Sequence, residues 1–86
     1  MNVNEVITML ENRIEKLRRY RKSFEHMAES SYNMGDYDAS KKYSLEAEKY
    51  RAAAVELICI RMDIEAELEK TINDMRREYE DGSDNR

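Results

Sequence analysis

Asn33-Met34-Gly35-Asp36-Tyr37-Asp38 joins two long helical patterns with a stop signal followed directly by a start signal. Gly35 can take the left-handed backbone that closes a helix, because it has no Cβ to clash. Asp36 can then accept backbone N–H groups at the start of the next helix, and Asp38 adds negative charge to its first turn. A joint this short makes the two helices antiparallel neighbours. The competing reading is one continuous helix bent at Gly35; the Gly-Asp pair argues against it by supplying both signals.

N-terminal to the joint, Val3, Ile7, Leu10, Ile14, Leu17, Phe24 and Ala28 recur every three or four residues and predict a helix over 3–33. Asn2 is the expected N-cap, with Glu5 as its partner in a capping-box-like arrangement. Val6, Tyr20, Met27 and Met34 form a second strip, so the apolar face is wide enough for a bundle. C-terminal to the joint, Tyr43, Ala47, Tyr50, Ala54, Leu57, Ile64, Leu68, Met75 and Tyr79 predict a helix over 37–79. Residues 34–36 are the turn, and the small polar residues 81–86 read as a flexible tail.

Two features of the second helix ask for more cover than one partner helix provides. Apolar side chains from Ala52 to Ile60 surround most of its circumference, interrupted only by Glu56. The lengths also differ: at 1.5 Å per residue the helices span ~46 and ~64 Å, and facing positions add to roughly 70. Leu68, Ile72, Met75 and Tyr79 therefore outrun the first helix while keeping an apolar stripe. A third helix would need a break, for which Asn73-Asp74 is the weakest point; a second copy of the chain satisfies the pattern better. The expected architecture is all-α: an antiparallel hairpin of two long helices, assembled with coiled-coil-type packing into a homo-oligomeric bundle. Val55, Leu57, Ile58, Ile60, Ile64, Leu68, Ile72, Met75 and Tyr79 are the expected interface between copies.

The turn Met34-Gly35-Asp36-Tyr37-Asp38-Ala39, followed by Tyr43 and Ala47, locally resembles the helix-turn-helix joint of tetratricopeptide repeats. The helices are longer than that 34-residue repeat allows and there is no second copy, so no function follows from the likeness.

Composition bounds the chemistry. The 86 residues are 41% hydrophobic and 40% charged, with no Pro, no Trp and two Gly, which describes one small helical domain. One His and one Cys exclude a Cys/His zinc site within a chain, and no phosphate-loop, dinucleotide or zinc-protease motif occurs. His26 falls off the apolar stripe, as a solvated histidine would, and Cys59, between Ile58 and Ile60, is expected as a buried thiol. The carboxylates Asp63, Glu65, Glu67 and Glu69 read as a solvated face. No catalytic residue, metal or cofactor is expected.

Charge is distributed unevenly within a net of −4. Arg13, Lys16, Arg18, Arg19, Arg21 and Lys22 put six basic residues into ten positions, a candidate contact for phosphate or nucleic acid. They are spread around the helix rather than along one stripe, which ranks a nucleic-acid accessory role below protein interaction. Arg21 and Arg61 sit in phase with apolar neighbours and must be paired, extend to solvent, or meet an anionic ligand at a subunit junction. Five of the six tyrosines cluster toward the hinge, where half-polar rings suit a packed seam or a protein partner. The apolar runs are too short to span a membrane and the N-terminus lacks a basic leader. With a single Cys, these features predict a cytoplasmic protein, of the kind found among small bacterial or phage regulators.

Overall fold

A computed structural model describes the backbone of residues 1–84 and the side chains of residues 1–80. The fold is an all-α hairpin in which α1 (Val3–Asn33) and α2 (Tyr37–Asp84) run side by side. It measures 77 × 19 × 13 Å, with a radius of gyration of 21.4 Å. A globular chain of this length would have a radius of ~12 Å, so the helices lie along one another without folding into a rounder body.

The joint is a Schellman closure merged with an N-cap. Gly35 has φ +81°, and its N–H donates to the carbonyl of Tyr32 at 3.0 Å. The N–H of Asp36 donates to the carbonyl of Ser31 at 2.9 Å, completing the pair of bonds that ends a helix at a left-handed residue. Asp36 also begins α2: its Oδ1 accepts from Ala39 N–H at 3.1 Å and its carbonyl accepts from Ser40 N–H at 3.0 Å. At the other end, Asn2 Oδ1 accepts from Glu5 N–H at 2.8 Å. Glu5 answers through the Asn2 side-chain amide at 3.1 Å, so the reciprocal bond runs between side chains and leaves the Asn2 backbone N–H out.

Along the seam the covered residues alternate in steps of three and four. The stripe on α1 is Ile7, Leu10, Ile14, Leu17, Arg21, Phe24, Ala28 and Ser31, with Val6 half-buried beside it; on α2 it is Ser40, Tyr43, Ala47, Tyr50, Ala54, Leu57, Arg61, Ile64 and Leu68, with Ala39, Glu46, Ala53 and Ile58 half-buried beside it. Near the hinge small residues let the backbones approach, and Ser40 Oγ donates across the seam to the Ala28 carbonyl at 2.8 Å. Beyond this point the space is filled by rings. Phe24 stacks on Tyr50 at 5.5 Å and leans on Tyr43 at 6.1 Å, while Tyr20 meets Tyr50 at 5.3 Å. The Tyr20–Tyr50 contact matches the facing register expected from the hairpin lengths. At the far end Val3 borders Ile64, Leu68 and Thr71, in the same register.

Two expectations change here. Helix α2 runs unbroken through Asn73-Asp74 and on to Asp84, five residues past the expected end. The first four residues of the expected tail thus continue the helix, because no Pro stops it and the preceding turns are already formed; residues 85 and 86 lie outside the described residues. Cys59 is exposed rather than buried. The seam passes through Ala54, Leu57 and Arg61, and with only one helix covering α2 the side that carries Cys59 faces out.

A Cβ at residue 35 would meet no atom within 4 Å, so the demand for glycine is one of backbone conformation alone. Gly35→Ala is therefore expected to cost about 1 kcal/mol of stability, with Gly35→Asn recovering part of it. Urea unfolding followed by circular dichroism reads both; an alanine variant as stable as the parent would show that the left-handed turn is not required.

Candidate functional site

Among the described residues only Ile14, Ala28, Ala47 and Ala54 are buried. A core this thin leaves much apolar surface outside the seam, and its distribution marks the candidate surfaces. On α2, Val55, Ile60 and Met62 are exposed on the flanks of the seam. Leu57, Ile58, Ile64 and Leu68 are half-buried, so these four expected interface residues are in part used already within the hairpin. Past Thr71 no part of α1 lies alongside, and Ile72, Met75 and Tyr79 are 47%, 64% and 77% exposed. Beside the start of this overhang lies a shallow groove lined by Val3, Ile64, Leu68, Thr71 and the side chains of Asp63 and Glu67.

A second apolar cluster sits at the hinge tip. Tyr32 and Tyr37 meet edge to face at 5.2 Å with both rings largely exposed, and Met34 beside them is almost fully open. The remaining hinge-end tyrosines divide differently: Tyr43 and Tyr50 fill the seam, while Tyr20 lies at its edge with the Lys16 ammonium 5.9 Å from its ring centroid.

The basic residues of α1 are not gathered onto one face. Arg13, Lys16, Arg18, Arg19 and Lys22 are exposed, and Arg19 pairs with Glu15 at 3.6 Å. Arg13 and Lys16 border a shallow outer groove with Met9 and Asn12. Arg21 points the other way, into the seam. Its Nε lies 3.1 Å from Glu25 Oε1, but the N–H is not aligned for a hydrogen bond. Arg61 holds the equivalent position on α2, with its Nε 3.7 Å from Glu65 Oε1. In both, Nε is buried without a hydrogen bond while about a third of the side chain reaches solvent. The apolar stem covers the seam, Nε sits at its edge beside a carboxylate on the same helix, and part of each side chain reaches solvent.

Ion pairs among the described residues stay within single helices. The best-formed joins Arg51, through Nε and Nη2, to both oxygens of Glu48. Hydrogen bonding and charge from Arg51, with a further contribution from Arg21, hold the Glu48 carboxyl below its ordinary 4.5, and the same partnership raises Arg51. His26 is exposed, as its place off the stripe implied. Among the described residues no cluster of three or more His, Cys, Asp or Glu has the geometry to hold a metal ion. Nor is any helix there long and apolar enough to cross a membrane.

Sequence reasoning named the overhang residues and both seam arginines, but missed the exposed Tyr32–Met34–Tyr37 cluster as a unit. Its signal was present: three bulky apolar residues within six positions of a turn that no other segment covers.

Two predictions follow from the charges. Arg21→Leu and Arg61→Leu should each raise the urea midpoint, by about 1 kcal/mol in stability, since a leucine fills the seam without a desolvated Nε. A loss of stability in both would show that the arginines are structurally required. For Glu48, a folded-state carboxyl held below its unfolded value stabilises the protein at higher pH and loses that contribution as pH falls through the folded value. The stability gap between the parent and Glu48→Gln should thus be open at pH 7 and close in acid, below the ordinary 4.5. Parallel stability–pH curves would exclude the contribution.

No protein-family model matches this chain, and no curated protein or solved structure shows significant similarity to it.

Proposed function

We propose that this chain is a non-enzymatic helical interaction protein that acts as a homo-oligomer, its hairpins sharing a bundle with coiled-coil-type packing. One observation carries the reading: a single seam buries four of the described residues, while on α2 Val55 and Ile60 stay exposed on the flanks of that seam and Ile72, Met75 and Tyr79 stay exposed beyond its end. A two-helix hairpin alone is a marginal fold at this size, and a second copy removes the exposed apolar surface and supplies the missing core at once. An adaptor or regulatory role fits the same geometry. With α2 committed to self-association, the hinge cluster of Tyr32, Met34 and Tyr37 remains at the opposite end of the hairpin, where aromatic and methionine side chains suit contact with another protein.

Light scattering on a sizing column, over a concentration series at two salt levels, tests the central claim. A mass of at least twice that of one chain is expected at micromolar concentration, with little loss at high salt because the contact is mainly apolar. A single-chain mass at every concentration would overturn the reading.

A further inference from the structure

We propose that two copies of this chain pair parallel and in register through the side of α2 turned away from α1, along Ala52, Val55, Cys59, Met62 and Ala66. This rests on the self-association reading and names the face and the direction of the contact. The five residues are spaced three, four, three and four, the pattern of a coiled-coil seam, and every one of them is exposed in the hairpin. Cys59 lies five residues on from the buried Ala54, roughly 140° round the helix, so α2 can hold α1 and a second α2 at once. Alanine at both ends and cysteine in the middle let two helices approach closely. Val55 and Met62, 45% and 59% exposed, supply the apolar bulk. This second stripe accounts for the apolar girth of residues 52–60, which the hairpin seam covers on one side only. Glu48, held by Arg51 on its own helix, and Glu69 mark its two ends.

The charges beside the stripe select a second copy as the occupant, and set its direction. In a parallel pair, a residue on one flank faces the residue five positions further along on the opposite flank of the other helix. Arg51 then faces Glu56 of the second copy and Glu65 faces Lys70, each pairing occurring twice, with Ile58 facing Asp63 between them. Glu56 and Lys70 make no ion pair within their own chain among the described residues. Arg51 and Glu65 each have one partner on their own helix, and about half of each side chain remains exposed to meet another. Antiparallel pairing about Cys59 keeps only Arg51 beside Glu65. It sets Glu56 beside Asp63 and Lys49 beside Lys70, like charge against like.

Sedimentation equilibrium of the full-length chain tests the face, with circular dichroism to confirm that the helices persist in each variant. Val55→Asp and Met62→Asp each bring like charges together inside the contact and should weaken the dimer about tenfold or more. Ile60→Asp, on another side of α2, should leave it near the parent value. Disulfide formation under mild oxidation tests the direction. The variants Cys59→Ala/Ala52→Cys and Cys59→Ala/Ala66→Cys should each link to their own kind, because like positions meet in a parallel pair. Links that form only when these two variants are mixed would overturn the parallel register. A dimer that Ile72→Asp or Met75→Asp disrupts, while Val55→Asp and Met62→Asp leave it intact, would overturn this face and leave self-association standing. A monomeric parent would overturn both.

Discussion

The left-handed backbone at Gly35 is the constraint from which the rest of the hairpin follows. By ending α1 and letting Asp36 begin α2 at the next residue, it leaves no slack between the helices. A loop of several residues would permit the helices to slide or rotate relative to one another. This joint uses its backbone groups on both sides, so the register is set at the hinge and carried down the seam by geometry. Ser40 against Ala28, Tyr50 against Tyr20 and Val3 against Leu68 are three readings of the same register, taken near the hinge, in the middle and at the far end.

That register determines which side chains are spent inside the hairpin. Small residues near the turn allow close approach, and the rings of Phe24, Tyr43 and Tyr50 fill the seam where the backbones need spacing. Arg21 and Arg61 then occupy positions that an apolar residue would fill more favourably. Each covers the seam with its methylene stem while part of the side chain reaches solvent, a compromise that costs stability.

The hairpin was legible in the sequence because its determinants are local. A Gly-Asp pair and a run of three-and-four spacings need no knowledge of distant contacts, and Arg21 and Arg61 stood out through phase alone. What escaped the sequence depended on how many neighbours α2 has. Cys59 reads as buried among Ile58 and Ile60 only if α2 is surrounded; beside a single helix it faces out. The end of α2 escaped for a different reason. Glycine at 82 and small polar residues around it suggest a stop, but a helix already more than forty residues long continues at little cost until a residue forbids it. The tip cluster of Tyr32, Met34 and Tyr37 was hidden because two of its members belong to helices and one to the turn, so no single periodicity contains all three.

The unequal lengths of the helices connect these points to function. Had α1 and α2 ended together, the seam would close on itself and α2 would keep exposed apolar surface only along its sides. Because α2 continues past Val3, the end of the seam is an unfinished surface with a direction and a phase, in line with the part that α1 already covers. The Glu48–Arg51 and Glu46–Lys49 pairs line the α2 surface nearer the hinge, well away from this end. The molecule thus differs along its length: the Tyr32–Tyr37 pair stands exposed at the hinge, and an incomplete apolar seam running out through Ile72, Met75 and the exposed Tyr79 lies at the other end.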